Sequence, residues 1–413
     1  MGKRVRVFLE TLGCKLNQAE GEALARGLSH AGYELVAPNA EADVYVLNTC
    51  TVTRTADRKA RQALRAFLRQ NPRALVVATG CYAERTREEL AQIQGVGLII
   101  GNKDKPELVT RLGKELGVPQ AGEVPLNLRT RSFVKIQDGC ANFCAYCIVP
   151  YVRRREKSQP PDQIVSEIRA RVSEGYKEVV LTGTEIGAYC YDGLGLIGLI
   201  KRILTGTDVM RLRLSSLQPP EIIPELVSLW DDKRLCCHFH LSLQSGSDGV
   251  LRRMKRRYSV ADYRKAVSLI RDKITDVAIT TDVIVGFPGE TDGEFRESFD
   301  FCREVGFSRI HVFSYSRRPG TEAAEMPGQV DERVKKARSQ KMLALSRESA
   351  RGFIQKFIGR RMPVLFEQPE SEGVWSGLTD NYIRVYVRSD EDLTNKLVEV
   401  RLEKLYRDGV WGE

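Results

Sequence analysis

Six of the ten cysteines in this chain fall into two sets whose arrangement suits the binding of iron and sulfur. The tight set is Cys140, Cys144 and Cys147, spaced C-x3-C-x2-C with Tyr146 directly before the last thiol. Three thiolates on so short a loop can hold three irons of a 4Fe-4S cluster and leave the fourth iron without a protein ligand, open to chemistry. The competing reading is a zinc knuckle. Structural zinc takes four ligands, commonly two C-x2-C pairs or a Cys/His mixture. No histidine lies along this segment, so zinc would need distant ligands.

The second set, Cys14, Cys50 and Cys81, is dispersed and acquires meaning only from the elements around it. Apolar alternation predicts strands over Val5–Glu10, Asp43–Thr49, Ala74–Thr79 and Leu98–Gly101, with helices over Asn17–Ala31, Thr53–Gln70 and Glu84–Gln94. Such β/α alternation implies a parallel sheet, whose ligands bind in the crevice outside the carboxyl ends of the strands. Cys14 follows the first strand in T-L-G-C, Cys50 closes the second in L-N-T-C, and Cys81 closes the third in A-T-G-C. Three thiols are therefore expected at one crevice. Each taken singly is also explained as a small buried hydrophobe.

After the junction at Arg129-Thr130-Arg131, six strand-like runs follow: Ser132–Gln137, Glu178–Thr182, Met210–Ser215, Cys237–Leu243, Val277–Val285 and Arg309–Tyr315. Helix-like segments Pro161–Glu174, Pro220–Trp230, Val260–Arg271 and Thr291–Val305 lie between them. Six β/α units imply a partial (β/α) barrel, in which the loops after the strands build the active site. Those loops carry Glu185 in G-T-E, Ser215, Gln244 in Q-S-G-S, and Asp282 ahead of G-F-P-G-E. Such groups can fix an amine, a carboxylate and a ribose, although turn chemistry alone also accounts for Gly, Ser and Asp there. His238 and His240 alternate on a strand and face the same side, with no carboxylate partner evident. Cys190, Cys236, Cys237 and Cys302 share no location and read as packed or incidental thiols.

The formal net charge of +10 over 413 residues points to an anionic partner. Arg54, Arg58, Arg61, Arg65 and Arg69 fall on one face of the predicted helix Thr53–Gln70, with only Asp57 nearby as an acid. A phosphate backbone answers such a face, and a solvated helix surface is the alternative. Further basic runs are Arg153-Arg154-Arg155, Arg252–Arg257, and a predicted helix over Asp331–Phe357. Beyond about Arg360, short β-rich segments at Met362–Glu367, Tyr382–Val387 and Leu397–Leu402 predict a small all-β barrel, where Tyr382, Arg384 and Tyr386 offer stacking and charge to RNA. Lys356–Glu413 carries nine Lys or Arg against eleven Asp or Glu, so RNA contact there would be a local patch. No apolar run reaches membrane-spanning length, and Met1-Gly2-Lys3-Arg4 leads into a strand rather than a signal sequence, which makes the cytoplasm the expected location.

T-L-G-C-K-L-N-Q at Thr11–Gln18, L-N-T-C-T-V-T at Leu47–Thr53, T-G-C at Thr79–Cys81 and K-I-Q-D-G-C-A-N-F-C-A-Y-C-I-V-P-Y at Lys135–Tyr151 form a specific combination. L-Q-S-G-S-D at Leu243–Asp248, D-V-I-V-G-F-P-G-E at Asp282–Glu290 and F-S-Y-S-R-R-P-G-T at Phe313–Thr321 extend it. Together these motifs resemble the methylthiotransferase family of radical S-adenosylmethionine (SAM) enzymes over essentially the whole chain. The resemblance implies an N-terminal parallel-sheet α/β domain (1–125), a central partial (β/α)6 barrel (130–345) and a C-terminal TRAM-like RNA-binding barrel (356–413).

It also implies two 4Fe-4S clusters and two uses of SAM. Cys140, Cys144 and Cys147 would hold the cluster that cleaves SAM to a 5'-deoxyadenosyl radical. Cys14, Cys50 and Cys81 would hold the auxiliary cluster that supplies sulfur, which is methylated from another SAM. Glu185, Ser215, Gln244 and Asp282 would bind SAM, and Arg58, Arg61, Arg65, Tyr382 and Arg384 would contact RNA. An electron donor such as flavodoxin or ferredoxin is required, and the chain is taken to act as a monomer. Cys14-Lys15-Leu16-Asn17 is similar to the Lys-Val-Asn of the branch that acts on N6-threonylcarbamoyladenosine at position 37 of tRNA. It differs from the Gln-Met-Asn of the isopentenyladenosine branch and the Pro-Lys-Asn of the ribosomal-protein branch. Cys190 stands where the G-A-Y motif usually continues with Gly, and Gln218 in S-S-L-Q-P replaces a commoner Glu. The alternatives are methylthiolation of isopentenyladenosine tRNA or a ribosomal protein, and a non-enzymatic RNA-binding protein with structural metal.

Overall fold

The computed structural model describes residues 4–38, 40–117 and 130–413. Of the junction expected at Arg129-Thr130-Arg131, Arg129 lies outside the described residues. Strands β1 (Arg6–Thr11), β2 (Glu34–Leu35), β3 (Val44–Thr49), β4 (Leu75–Gly80) and β5 (Val96–Ile100) form one parallel sheet in the order β2-β1-β3-β4-β5. The central strand β3 is buried at every position, as befits a strand covered on both faces. Tyr45 and Leu47 pack with Leu64 and Phe67 of α2 (Arg54–Gln70), whereas Val44 and Val46 pack with Leu24 and Leu28 of α1 (Lys15–His30). The helix expected over Glu84–Gln94 is instead two short helices, Cys81–Arg85 and Arg87–Ala91, broken at Thr86 with φ −140°.

The central region contains the six expected parallel strands in chain order: Arg131–Lys135, Glu178–Thr182, Arg211–Leu214 continuing as Ser216–Leu217, His238–Leu241, Ala278–Val285 and Arg309–Ser314. The third strand is interrupted at Ser215. Its first half pairs with the second strand and its second half with the fourth. Helices Pro161–Ser173, Leu196–Gly206, Val260–Lys273 and Asp292–Val305 pack against these strands in one large apolar core. The single helix expected over Pro220–Trp230 is a series of short turns, because Pro219, Pro220 and Pro224 withhold the N–H donors a continuous helix needs.

At the C-terminus five strands close into a barrel: Arg361–Ser371, Val374–Leu378, Arg384–Arg388, Leu397–Tyr406 and Gly409–Gly412. The second and last of these escape the sequence reading, being short and interrupted by glycine. One helix, Glu332–Gln355, joins this barrel to the centre, with Met342 and Leu345 in the central core and Ile354 in the barrel core.

The contact between centre and barrel is made by buried charge. Arg213 donates to both Glu178 carboxylate oxygens at 2.7 and 3.1 Å and to the Asp380 carbonyl at 2.7 Å. Arg211 donates to the carbonyls of Pro363 and Leu378. Burial raises the Glu178 carboxyl, but Arg213, Arg131 and Arg211 more than offset this and hold it below its ordinary value. Breaking a fully buried pair leaves an uncompensated charge. Glu178→Ala is therefore expected to destabilise the protein by about 3–5 kcal/mol, read as a lowered thermal unfolding midpoint.

Candidate active site

The N-terminal triad is assembled by side chains that tie three strand ends together. Cys14 caps α1, Cys50 follows β3, and Cys81 opens the short helix after β4. Asn17 Nδ2 donates to the carbonyls of Leu12 and Thr49 at 2.8 and 2.9 Å, so one amide spans the Cys14 and Cys50 loops. Asn48 Nδ2 donates back to the Asn17 carbonyl, and Thr49 Oγ1 donates to the Thr79 carbonyl while accepting from the Tyr82 N–H. Two glycines make the approach possible. Gly13 has φ +103°, and a Cβ there would lie 2.8 Å from Cys50 Sγ. Gly80 has φ +97°, and a Cβ there would lie 2.5 Å from the Thr49 carbonyl oxygen. Burial pushes the Cys50 thiol up to about 12, with Cys14 and Cys81 near enough to add to the effect. Burial likewise raises Cys14, which remains open to water at one side.

The second triad sits on the loop after the first central strand. Phe143 adopts φ +45°, bending the chain between Cys140 and Cys144, and the Cys147 N–H donates to the Cys144 carbonyl. Burial pushes Cys140 and Cys147 up to about 12. Cys140 Sγ donates to Glu185 Oε2 at 3.3 Å, and Asn142 Nδ2 donates to the same oxygen at 2.6 Å. Glu185 Oε1 accepts from Gln218 Nε2, and Gln218 Oε1 accepts from Arg256 Nη2 at 2.8 Å. Arg256 Nη1 in turn donates to Cys144 Sγ at 3.1 Å. Arg256 belongs to the basic run Arg252–Arg257, which in sequence pointed to an anionic partner. Here its guanidinium is held against a thiol and stacked over Tyr258, while Arg253 pairs with Glu294.

Arg153 joins the two halves. It is buried, not a surface charge as its basic run suggests, and it donates to Glu20 at 2.8 and 2.9 Å, to Asn17 Oδ1 at 3.0 Å and to Asp138 Oδ1 at 2.8 Å. Lys105 and Lys135 complete the charge around Glu20. On the other side of the interface, Arg318 donates to Thr51 Oγ1 at 2.9 Å and to Asp57 Oδ2 at 2.6 Å. Asp57 is thus buried and committed here, and does not face the arginine stripe as its sequence position suggests.

A cavity of about 240 Å3 is lined by Val52 and Thr53 after Cys50, by Tyr146 and Cys147, and by Gln244, Asp282 and Phe313 from the central strands. Gln244 has φ +68°, its N–H donates to the Asp282 carbonyl, and its own carbonyl accepts from the Ile284 N–H. Of the four residues read as SAM ligands, Gln244 and Asp282 line this cavity, Glu185 stands at Cys140, and Ser215 is buried at the strand interruption with its hydroxyl unpartnered among the described residues. His240 does have a carboxylate partner, Asp282, at 3.2 Å on the adjoining strand. Burial raises Asp282, but the His240 hydrogen bond and neighbouring cations hold it below its ordinary value. His238 and His240 share the Thr280 hydroxyl, so they face one side as expected.

The RNA candidates divide. Arg58 and Arg65 are exposed, as are Arg54 and Arg69, and among the described residues none of the four makes an ion pair. Arg61 is engaged by the Tyr82 hydroxyl at 2.6 Å and by Glu89 at 2.8 Å. Tyr382 is turned away from any open barrel face: its ring stacks on His238 at 4.6 Å, Arg213 lies over it, and its hydroxyl accepts from Arg131 at 3.0 Å. Arg384 pairs with Glu370 and Asp408, and Tyr386 is buried with its hydroxyl on Asp408. Arg153, Arg256, Asn17 and Gln218 are the residues sequence reasoning missed. Their partners lie on distant elements, although Asn17 stands inside a quoted motif.

All ten cysteines are free thiols; Arg256 Nη1 donates to Cys144 Sγ, and the charge of Arg153 acts on Cys14 against a larger burial effect that raises its thiol. Such a donor set suits an iron-sulfur cluster, which requires deprotonated sulfur. Among the described residues, no helix is long and apolar enough to cross a membrane. The Radical SAM superfamily model matches residues 134–302, and the model described as uncharacterized protein family UPF0004 matches residues 6–101. Over 427 residues the chain is 37% identical to the threonylcarbamoyladenosine tRNA methylthiotransferase MtaB of Bacillus subtilis (strain 168), covering 96% of this chain and 94% of that protein. Over 432 residues it is 33% identical to the tRNA-2-methylthio-N(6)-dimethylallyladenosine synthase of Syntrophus aciditrophicus (strain SB), covering 98% of this chain and 94% of that protein. The radical SAM methyltransferase TsrM from Kitasatospora setae, solved with cobalamin and a 4Fe-4S cluster, is similar in fold, with TM-score 0.58 and 16% identity over 78% of this chain and 74% of that one. Matches of this extent, with the two family models falling on the two thiol-bearing regions, place the chain in the methylthiotransferase family of radical SAM enzymes.

Proposed function

We propose that the protein transfers a methylthio group to C2 of N6-threonylcarbamoyladenosine at position 37 of tRNA. The observation that carries this reading is one cavity lined both by Cys147 of the tight triad and by Val52 and Thr53, which follow Cys50 of the dispersed one, with Arg256 on Cys144 and Arg153 tying the Cys147 segment to Asn17 and Glu20. The relatives named for threonylcarbamoyladenosine support the choice of substrate, at up to 37% identity over nearly the whole chain. When bound, a 4Fe-4S cluster on Cys140, Cys144 and Cys147 supplies the electron that cleaves SAM, and a second cluster on Cys14, Cys50 and Cys81 holds the sulfur to be transferred.

The chain's own residues then have definite tasks. Arg256 and Glu185 set the charge around Cys144 and Cys140, and Gln218 couples them. Gln244 and Asp282, with Glu185 and Ser215, bind SAM at the strand ends. The apolar walls Ile148, Val149, Ile284 and Phe313 keep water from the reacting carbon. The exposed arginines of α2 track the tRNA backbone, and the C-terminal barrel is a TRAM-like module that adds to that surface. The protein works as a cytoplasmic monomer with a flavodoxin or ferredoxin as electron donor.

The decisive experiment is mass spectrometry of tRNA nucleosides after anaerobic reconstitution with SAM and a reductant. A methylthio mass gain on threonylcarbamoyladenosine is expected. A gain on dimethylallyladenosine alone would move the protein to the other named group of relatives. Two further outcomes follow from the site. Replacing Cys140, Cys144 and Cys147 together by Ala, or Cys14, Cys50 and Cys81 together, should each lower bound iron from about eight to about four atoms per chain. Zinc in place of iron and sulfide would refute both sites. Arg58→Glu, Arg65→Glu and Arg69→Glu combined should weaken tRNA binding at least about tenfold at moderate salt and flatten its salt dependence, with iron content unchanged. Undiminished affinity would remove the α2 face from the tRNA path.

A further inference from the structure

α1 lays one face against the central strands. Ala19 packs with Phe133 and Val180 of the first two strands, and Glu22 accepts from the Phe133 N–H at 3.1 Å. Lys15, one turn before Ala19, projects from that same face. Lys15 is half-buried at the mouth of the space between the central strands, within electrostatic reach of Tyr382, Arg213, Arg131 and Asp282. That space is walled by His238, His240 and His311 from adjoining strands, with the His240 and His311 rings 5.7 Å apart and the His238 ring stacked on Tyr382.

The polar groups here are accounted for almost completely. Arg213 and Arg211 are matched to Glu178, Arg131 to Glu367, and Asp282 to His240. Four cations, counting Lys15, therefore meet three carboxylates, and among the described residues Lys15 makes no hydrogen bond or ion pair. His238 Nδ1 beside it is buried with no hydrogen-bond partner among the described residues. A buried ring nitrogen without a partner is costly, and a half-buried ammonium with no partner among the described residues is free to bind, so a polar ligand group can complete both.

We propose that Lys15, with His238 beside it, forms the subsite that receives the carboxylate of the substrate's N6 substituent and so decides which modified adenosine is accepted. The inference rests on the function proposed above and deepens it. An N6 group ending in a carboxylate satisfies the ammonium through a charge-assisted hydrogen bond, and its hydroxyl or carbonyl can satisfy His238. A purely aliphatic N6 group of similar length would enclose both polar groups unpaired, which is the kind of mismatch that discriminates strongly between ligands.

The test uses the reconstituted holoenzyme and anticodon stem-loops carrying threonylcarbamoyladenosine, its threonine methyl ester, or dimethylallyladenosine. Binding constants and methylthiolation rates are measured for the wild type, Lys15→Met and Lys15→Arg. The wild type is expected to bind the free acid roughly 10- to 100-fold more tightly than the ester. In Lys15→Met this ratio should fall to near one, and in Lys15→Arg it should be largely retained. The ratio does not depend on how much enzyme is folded or loaded, so a merely structural role for Lys15 would leave it unmoved. An unchanged ratio in Lys15→Met, or a wild type that methylthiolates acid and ester equally, would overturn the subsite while leaving the function intact. Wild-type activity confined to the dimethylallyl stem-loop would overturn the proposed function and the subsite with it.

Discussion

The buried guanidinium of Arg153 holds the two thiol triads in register. It comes from the segment that carries Cys147, and it ends on Asn17 and Glu20 of the helix that Cys14 caps. Asn17 also ties the Cys14 loop to the end of β3, where Cys50 sits. A displacement of either domain would therefore break several charge-assisted bonds in a water-poor setting, where unpaired charge is expensive. Arg318 repeats the device by clasping Thr51 and Asp57, next to Cys50. Two ionic latches thus fasten the N-terminal sheet to the central region, one beside Cys14 and one beside Cys50.

Charge also explains how so many thiols can be brought together. Burial is the largest cause that pushes Cys50, Cys140 and Cys147 up to about 12, with neighbouring thiols adding to it and Arg256 partly opposing it at Cys147. Arginine is the suitable counterweight because it stays charged in a desolvated site, whereas a lysine there can lose its proton. Around the tight triad the hydrogen bonds form a closed path: Cys140 to Glu185, Glu185 to Gln218, Gln218 to Arg256, and Arg256 to Cys144. A neutral amide at position 218 can donate to Glu185 and accept from Arg256 at once. An ionised glutamate in its place would have no proton to give. The departure from the commoner residue thus changes how the carboxylate and guanidinium are joined and keeps that join intact.

Much of this organisation was legible in the sequence, and the parts that were not share a cause. The β/α alternation, the three strand-end thiols and the tight cysteine loop are local patterns, and each falls where local patterning puts it. Pairings across long sequence separations were invisible: His240 with Asp282, Arg153 with Glu20, and Asp57 with Arg318. A basic run reads the same in sequence whether its members are solvated or buried, so Arg153 and Arg256 were indistinguishable from Arg154 and Arg257, which are exposed. Tyr382 failed for a related reason. An aromatic residue in a short β-barrel suits nucleobase stacking and domain docking equally well, and only the contact with His238 decides between them.

That contact gives the C-terminal barrel a second role. Tyr382 is held at φ +70°, and it meets His238 and Arg131, which open the fourth and first central strands. The barrel thus closes the end of the central space opposite the thiols, and Arg211 and Arg213 reach through the strands to fasten it there. Without this closure the buried Arg213–Glu178 pair would open to water, and the histidines that line the space would lose the low-dielectric surroundings that keep His238 and His311 neutral. A module that looks in sequence like an appended RNA grip is therefore also the floor of the chamber in which the N6 substituent is proposed to sit.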